Sequence, residues 1–193
     1  MPTLYPEVTG VLLAGGRSRR FGRNKALAKF QDRLLIERVF SVLQALFSEI
    51  IVVTNTPEEY RFLPARILCD ERPYQGPLGG IATALKSCGT EQAFVAACDM
   101  PLLSSAVIRA VVDAGRGHAA AVPCHDQGRE YLMALYSKSL LPKMREALDS
   151  GIFSLREFCA RVEDLNWVPI AAESAANVNT PEELRRLEER YAL

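Results

Sequence analysis

A glycine pair at the end of a short apolar run is the feature that most constrains this chain. The run from Val8 to Ala14 ends at Gly15-Gly16, and a basic loop follows that leads to Lys25. Short apolar runs bounded by turn residues are typical of buried strands. The N–H groups of a glycine turn form an anion-binding concavity, and a lysine adds a positive charge. The pattern therefore predicts a phosphate-binding loop at the carboxyl end of a first strand.

The spacing excludes two common phosphate-binding motifs. A P-loop has a glycine directly before its lysine, whereas Arg23 and Asn24 separate Gly22 from Lys25 here. The glycines of the loop also lack the G-x-G-x-x-G spacing of dinucleotide-binding proteins. A tight turn with a solvated basic face is the simpler alternative. The concentration of cations beside a glycine pair favours a bound anion over that alternative.

Composition limits the classes of partner. The 193 residues include 23 Lys and Arg and 23 Asp and Glu, which argues against non-specific binding to nucleic acid or an anionic membrane. No apolar stretch has the length of a membrane span. The five cysteines are odd in number and contain no C-x-x-C, which favours reduced thiols over a disulfide framework or a zinc site. Because residues 1–7 carry no signal-peptide pattern, we expect a cytoplasmic protein. The length predicts a single domain that spans residues 1–193.

Apolar periodicity predicts alternating strands and helices. The predicted strands are Val8–Leu13, Glu49–Thr54, Arg66–Cys69, Ala93–Ala97, Ala119–Pro123, Leu132–Tyr136 and Leu165–Val168. The predicted helices are Leu34–Phe47, a short one from Pro57, Leu78–Ser87 opened by Gly76-Pro77, one from Ser104 or Ser105 to Asp113, Lys138–Leu148, Phe153–Ala160, and one capped by Thr180 with Glu183 completing a capping box. This alternation predicts an α/β fold with a mostly parallel sheet and helices on both faces.

Four strands of this sheet are followed directly by a glycine or a polar residue. These residues are Gly15, Asn55, Asp70 and Asp99. Ligands of open α/β sheets bind at the carboxyl ends of the strands. The four residues are therefore expected to line one crevice.

Asp99 is the strongest candidate for a metal ligand. It follows the apolar strand Ala93–Ala97 and precedes Pro101, which ends the strand. A buried carboxylate needs a partner, and Mg²⁺ is usually held by one or two carboxylates together with substrate phosphates. The alternative is an aspartate that caps the next turn.

Other candidates depend more on context. The turn Gln75–Gly80 is explained by a helix start, although its backbone could also form the floor of a pocket. Asn177 and Asn179 are spaced to point the same way from an extended segment, and the helix cap at Thr180 does not explain Asn177. His118 and His125 are interpreted as surface residues. The spacing does not decide whether Arg129, Glu130 and Tyr131 face the crevice.

Four motifs, taken together, resemble one enzyme family. They are Leu13-Ala14-Gly15-Gly16 with Arg20-Phe21-Gly22 and Lys25; Gly76-Pro77-Leu78-Gly79-Gly80; Cys98-Asp99-Met100-Pro101; and Asn177-Val178-Asn179-Thr180-Pro181-Glu182. From about Val8 to Leu187 the chain resembles the molybdenum cofactor guanylyltransferases. The first motif is shared with many nucleotidyltransferases, so the full set is the more specific signal. The resemblance implies a Rossmann-like nucleotidyltransferase fold and transfer of GMP from GTP to molybdenum-bound molybdopterin, with release of pyrophosphate.

The resemblance also implies roles for individual residues. The residues implied to bind GTP are Leu13, Ala14, Gly15, Gly16, Lys25, Asn55, Asp70 and Asp99. Lys25, Arg20 and Asp99 are the implied catalytic residues, with Mg²⁺ as cofactor on Asp99. Asn177 and Asn179 fall where the family's last motif lies near the pterin. The family delivers its product to molybdoenzymes, so transient contact with those enzymes or their chaperones is implied as well.

One segment departs from the family pattern and leaves the pterin contacts open. Many relatives carry His-Pro or a similar Pro-Leu pair before Ala-Leu, where this chain reads Arg129-Glu130-Tyr131-Leu132-Met133. Three alternative functions are considered: a cytidylyltransferase acting on the same pterin, a sugar-phosphate nucleotidyltransferase, and a non-catalytic GTP-binding chaperone of molybdoenzymes. Gly15-Gly16, in place of an Ala-Gly pair, favours guanine over cytosine.

Overall fold

The computed structural model describes residues 5–15, 21–22, 24–73 and 75–191. The strands in this part of the chain are β1 (Val8–Leu13), β2 (Lys29–Phe30), β3 (Arg33–Leu34), β4 (Ile50–Thr54), β5 (Arg66–Cys69), β6 (Gln92–Ala97), β7 (Ala120–His125), β8 (Gly128–Arg129), β9 (Met133–Ser137) and β10 (Leu165–Pro169). The α-helices are α1 (Leu35–Gln44), α2 (Gly76–Ser87), α3 (Ser105–Ala114), α4 (Leu141–Asp149), α5 (Leu155–Cys159) and α6 (Pro181–Tyr191). Short 3₁₀ turns lie at Lys25–Leu27, Pro57–Tyr60, Lys138–Leu140 and Ala172–Ala175.

The main sheet has the strand order β10-β7-β9-β6-β1-β4-β5, with β8 paired to the end of β7. Strands β6, β1, β4 and β5 run parallel, and β10 runs parallel to β7. Strand β9 is antiparallel to both β6 and β7, so these two strands point the same way. The carboxyl ends of six strands and the start of β9 therefore meet at one edge of the sheet.

Helices cover both faces of this sheet, as predicted. Successive side chains of β1 alternate between the faces: Leu12 packs in the core cluster with α1 and α3, while Val11 and Leu13 pack in the cluster with α2, α4 and α5. The strands in the centre are buried on both sides and therefore read as continuous apolar runs. A smaller cluster joins α6 to the β2–β3 hairpin through Leu184 and Phe30.

The predicted elements are present, and the corrections concern their ends. The helix predicted over Lys138–Leu148 is a 3₁₀ turn followed by α4, where Pro142 occupies the first turn because a proline N–H is not needed there. Ser104 caps α3 by accepting a bond from Val107 N. In α6 the hydroxyl of Thr180 accepts a bond from Glu183 N at 3.1 Å, as predicted. The Glu183 carboxylate, however, accepts from Asn179 N at 2.6 Å instead of Thr180 N, so the predicted capping box is displaced by one residue.

No helix in the described ranges is both long and apolar enough to cross a membrane. The cysteines of the described chain, Cys69, Cys88, Cys98, Cys124 and Cys159, are free.

Candidate active site

Two adjoining cavities open at the carboxyl edge of the sheet. The inner cavity, of about 250 Å³, lies over the ends of β1, β4, β5 and β6 and is bounded by the start of α2. The middle cavity, of about 370 Å³, lies beside it between the start of β9, α5 and the segment before α6. Pro77, Asp99 and Leu132 line both cavities, so the two spaces meet at Asp99.

Most of the predicted GTP-binding residues lie in the inner cavity. The residues that line it include Leu13, Gly15, Lys25, Asn55, Asp70 and Asp99. Ala14 is buried and is not among the residues that line the cavity; its carbonyl accepts bonds from Thr54 and Tyr60. Gly16 and Arg20 lie outside the described residues. The four strand-end residues that were expected to share a crevice do so, and their roles toward a nucleotide stay predictions.

Asp99 forms the centre of the site with Lys25 and Asn179. The Lys25 ammonium donates to the Asp99 carboxylate and also to Asn179 Oδ1 at 3.1 Å. The backbone of Asp99 accepts a bond from Val178 N at 2.9 Å, which fixes the Asn177–Asn179 segment against the end of β6. The fold thereby brings Lys25 into contact with Asp99, 74 positions later in the chain, and with Asn179, 154 positions later. The buried carboxylate of Asp99 was expected to need a partner, and Lys25 is a partner that the protein itself supplies.

Residues around the first loop position Lys25. Asn24 Oδ1 accepts a bond from Ala26 N at 3.1 Å and so caps the turn that carries the lysine. Asn24 Nδ2 donates to Tyr60 Oη at 2.7 Å, and Tyr60 Oη in turn donates to the Ala14 carbonyl at 3.3 Å. The same carbonyl accepts a bond from Thr54 Oγ at 3.2 Å. This network ties the end of β1 to the lysine turn.

Sequence reasoning missed these positioning residues. Burial of the Tyr60 ring raises the pKa of its phenol to about 12, although the bond from Asn24 acts in the opposite direction. The phenol is therefore neutral and free to donate. Asn24 was the one position that the sequence could have indicated, because asparagine favours helix caps and Asn24 directly precedes Lys25. Nothing in the local pattern around Tyr60 or Thr54 indicated a contact with Ala14.

Asp70 is held in place by α2. Its Oδ1 accepts a bond from Arg72 N at 2.9 Å and lies 3.3 Å from Thr83 Oγ, whose one proton it shares with the Gly79 carbonyl at 3.0 Å. Thr83 is buried, and together with Thr9, Thr54 and Asp99 it makes up the buried polar residues of the described chain. Three of these four residues therefore belong to the site.

Glycines at the start of α2 allow close packing around the inner cavity. Gly76 has φ +70°, and a Cβ there would lie 2.9 Å from the Phe153 carbonyl oxygen. A Cβ on Gly80 would lie 3.3 Å from Leu13 Cδ2, so α2 approaches β1 closely. The turn Gln75–Gly80 is thus part of the pocket as well as a helix start.

Asn55 carries a buried acceptor that lacks a partner. Of the buried side-chain polar atoms in the described chain, only Asn55 Oδ1 and Gln75 Oε1 have no hydrogen-bond partner. Asn55 lines the inner cavity. An unsatisfied buried polar group costs about 1–3 kcal/mol, which a donor on a bound ligand would recover.

Cys98 lies beside Asp99 but is a poor nucleophile. Burial, with a smaller contribution from the Asp99 charge, raises the pKa of the Cys98 thiol to about 12. Thiolates carry out cysteine chemistry, so Cys98 is a packing residue of the inner cavity.

The middle cavity joins Asn177 and Asn179 to the segment that departs from the family pattern. Glu130 Oε2 accepts from Asn177 Nδ2 at 3.5 Å, and Glu130 Oε1 lies 3.0 Å from His125 Nε2. The prediction that His125 is a surface residue is wrong, because only 8% of its side chain is exposed. Gln127 N donates to His125 Nδ1 at 3.2 Å, which places the imidazole proton on Nε2 and lets it donate to Glu130. His118 is partly exposed and pairs with Asp164, as a surface residue does.

The donor chemistry around Asp99 fits Mg²⁺ in one respect. The described residues contain no group of three or more His, Cys, Asp or Glu side chains placed to hold a metal. Asp99 nevertheless presents a carboxylate where the two cavities meet. One carboxylate, with the remaining ligands from phosphates and water, is a common arrangement for Mg²⁺.

An edge of parallel strand ends that carries Gly15, Lys25 and Asp99 beside two cavities fits an α/β nucleotidyltransferase of the Rossmann-like type. Residues 10–165 match the MobA-like NTP transferase domain. The molybdenum cofactor guanylyltransferase of Desulfosudis oleivorans is 35% identical over 190 residues, which cover 94% of each chain. The probable molybdenum cofactor guanylyltransferase of Pelotomaculum thermopropionicum is 35% identical over 185 residues, 92% of this chain and 90% of the relative.

A solved structure agrees with these relatives. Molybdopterin-guanine dinucleotide biosynthesis protein A from Archaeoglobus fulgidus superposes with a TM-score of 0.83 at 26% identity, covering 95% of this chain and 98% of that one. The chain belongs to the molybdenum cofactor guanylyltransferase family. The predicted family and fold class are confirmed.

Proposed function

We propose that the protein transfers GMP from GTP to the phosphate of molybdenum-bound molybdopterin and releases pyrophosphate. The Lys25–Asp99–Asn179 contact at the junction of the two cavities is the observation that carries this proposal. A nucleotidyl transfer needs one space for the donor and one for the acceptor, meeting at the reacting phosphate. The names and full-length coverage of the relatives support GTP and molybdopterin as the two substrates.

GTP occupies the inner cavity in this proposal. Guanine carries N–H donors on its pairing edge, and the cavity offers two acceptors: the unpartnered Asn55 Oδ1 and the fixed carboxylate of Asp70. The triphosphate then lies toward Gly15 and Lys25. Because Lys25 is bonded to Asp99 and Asn179, binding of the triphosphate must exchange at least part of these contacts for phosphate oxygens.

The transfer itself needs no protein nucleophile. An oxygen of the acceptor phosphate is already anionic and forms a bond to the α-phosphorus of GTP. The bond from the α-phosphorus to the bridging oxygen breaks, and its electron pair leaves with pyrophosphate. Catalysis of this kind depends on positioning and on neutralising charge. Lys25 neutralises the departing pyrophosphate, while Asn177 and Asn179 orient the acceptor in the middle cavity.

Mg²⁺ is the proposed cofactor, held by the Asp99 carboxylate and by substrate phosphates. When bound, it would supply charge stabilisation for the phosphates. The prediction is that pyrophosphate release stops in excess EDTA and returns on addition of Mg²⁺. Cytoplasmic location and transient contact with molybdoenzymes or their chaperones stay proposals drawn from the family.

Pyrophosphate release by the purified protein tests the function directly. The assay contains Mg²⁺ and molybdate-loaded molybdopterin, with GTP or CTP in parallel, and mass spectrometry identifies the dinucleotide product. Release with GTP alone, together with a guanine dinucleotide product, is the expected result. Release with CTP alone would move the protein to the cytidylyltransferases. GTP binding without release would favour the non-catalytic chaperone, and transfer only to a hexose 1-phosphate would favour a sugar-phosphate enzyme.

A further inference from the structure

A third cavity extends the site beyond the middle cavity. This outer cavity, of about 550 Å³, lies between the β7–β8 hairpin and α5. Arg129, Tyr131 and Arg156 line both the outer and the middle cavity. A continuous groove therefore leads from Asp99, past the two arginines, to the hairpin.

Arg129 lies over the ring of the single tryptophan of the chain. The guanidinium carbon of Arg129 lies 4.2 Å from the centroid of the Trp167 ring, and the Tyr131 ring meets Trp167 edge-on at 6.4 Å. Sheet register explains the stack: Arg129 pairs with Cys124 on β7, and Trp167 pairs with Val122, two residues earlier on the same strand. Residues two apart on a strand share a face, so the arginine and the ring stand on one side of the sheet.

The two arginines of the groove are not neutralised by the protein. Among the described residues, neither Arg129 nor Arg156 forms an ion pair with a carboxylate, whereas Arg72, Arg116, Arg161 and Arg190 all do. Two exposed guanidinium groups on the wall of one groove favour an anionic ligand there. Glu130, which follows Arg129 directly in the chain, is engaged with His125 and Asn177.

We propose that Arg129 and Arg156 bind the phosphate monoester of the acceptor, and that Trp167 fixes Arg129 for this purpose. The inference rests on the proposed function, in which the acceptor brings a phosphate dianion toward a triphosphate. These two anions repel each other, and each needs its own cations. Lys25 serves the triphosphate in the inner cavity, and the two arginines serve the acceptor in the groove.

The stack on Trp167 makes Arg129 a specificity-determining residue. A guanidinium group in a fixed plane donates two parallel bonds to a phosphate, which a lysine cannot do. The ring behind it reduces the number of rotamers that binding must freeze. The segment Arg129–Met133 departs from the family pattern in this chain, and the arginine–tryptophan stack shows what the departure builds.

Steady-state kinetics separate acceptor binding from GTP binding. In Arg129→Ala, we expect kcat/KM for molybdenum-bound molybdopterin to fall about 10- to 100-fold, with the KM for GTP within about twofold of the native value. Arg129→Lys should recover only part of the loss, because it restores the charge without the planar fork. Trp167→Leu should cost about 3-fold, since the charge remains but its support is gone. Arg185→Ala, an exposed arginine on α6, is the matched control and should change neither constant.

Tryptophan fluorescence gives a second readout that does not depend on turnover. Trp167 is the only tryptophan in the sequence, so its emission reports on this groove alone. Titration with metal-free molybdopterin should change the emission of the native protein and of Arg185→Ala, after correction for absorbance with free N-acetyltryptophanamide. Arg129→Ala should show the change only at about 10-fold or more higher concentration. Circular dichroism verifies that each variant is folded.

The outcomes distinguish this inference from the proposed function. If the native protein transfers GMP and Arg129→Ala has unchanged acceptor kinetics and an unchanged titration, the arginine assignment is wrong and the function stands. If the native protein makes no product with any acceptor, the proposed function fails. In that case the titration alone tests whether the groove binds a phosphate monoester. An emission change that depends on Arg129 supports this binding, and the absence of any change overturns the proposal.

Discussion

The inner and middle cavities differ in how their polar groups are held. In the inner cavity the key groups are buried or partly buried and bonded within the protein: Thr54 to the Ala14 carbonyl, Thr83 to Asp70, and Lys25 to Asp99. Around the middle and outer cavities His125 and Glu130 are largely buried and bonded to each other, but Arg129 and Arg156 are exposed and form no ion pair in the described chain. For the proposed function, this difference means that the fold pre-organises the donor site, whereas the bound ligand completes the charges of the acceptor site.

The largest effect is expected where the two cavities meet. Asp99→Asn should reduce GMP transfer by about 10²–10³-fold, by analogy with the loss of one transition-state contact. Asp99 is shared by both spaces, so the loss should appear at saturating concentrations of both substrates. Pyrophosphate release measures it, with Asp113→Asn on the outer surface of α3 as the control. Full Mg²⁺-dependent activity in Asp99→Asn would contradict the metal assignment.

Gly76→Ala should damage the inner cavity through the backbone. The substitution forces an L-residue to φ +70° and brings its Cβ to 2.9 Å from the Phe153 carbonyl. We expect a loss of about 2 kcal/mol in the free energy of unfolding, together with a weaker affinity for GTP. Gly151 has a similar φ of +78° with open space around it, so Gly151→Ala measures the conformational cost alone. Denaturant unfolding compares the two, and equal losses would show that the contact with Phe153 is unimportant.

Thr83→Val tests whether pre-organisation of Asp70 matters for the donor. The substitution keeps the shape and removes the hydroxyl, which contacts Asp70 Oδ1 and Gly79 O and accepts a bond from Glu71 N, so the affinity for GTP should fall by about 1 kcal/mol, or roughly fivefold. Isothermal titration with a non-hydrolysable GTP analogue measures it. Thr56→Val removes a surface hydroxyl bonded to Glu59 and is the control. Unchanged GTP affinity in Thr83→Val would mean that Asp70 does not contact the nucleotide through a fixed carboxylate.

Glu130→Gln tests the acceptor side with a smaller effect. The substituted amide keeps the size of the side chain but loses the charge that accepts from His125 and Asn177, so Asn177 would be less well positioned. We expect a rise of about 2- to 5-fold in KM for the acceptor, with the KM for GTP unchanged. Steady-state kinetics with each substrate varied in turn provide the measurement, and Glu146→Gln on α4 is the control. If the KM for GTP rose more than the KM for the acceptor, Glu130 would act on the inner cavity and not on the acceptor side.

The last prediction concerns the chemical reactivity of Cys98, for which we expect the smallest effect. Because burial raises its pKa to about 12, the thiol is neutral at about pH 8 and iodoacetamide should leave it unmodified while it labels the exposed Cys69. The raised native pKa stabilises the fold fully below the unfolded thiol pKa of about 8.5, and this contribution is lost as the pH rises toward about 12. Peptide mapping by mass spectrometry over time follows the labelling. Labelling of native Cys98 as fast as Cys69 would show that the inner cavity is less closed than described.

The sequence predicted most of the helices and strands, because local residue patterns determine where these elements form. Apolar runs placed β1, β4, β5 and β6, and the pair Ser104-Ser105 marked the start of α3, where the structure selects Ser104 as the cap. The reversal of β9 was not readable, since direction depends on which neighbour a strand pairs with and not on its own residues. The ends of α1, α4 and α5 were displaced for a similar reason, as capping and packing decide where a helix stops.

The sequence by itself determined the lining of the inner cavity, the proposed donor site: Gly15, Asn55, Asp70 and Asp99 each follow a strand, and parallel strands bring their ends to one edge. Only the tertiary structure decided which side chains hold these groups, as Tyr60 and Thr83 do, and which residues form the acceptor groove. The stack of Arg129 on Trp167 joins residues of two strands through the register of β7, and the burial of His125 depends on Glu130 folding back against it. Spacing along the chain records the period of a strand or helix, but contacts between distant segments arise only when those segments pack together.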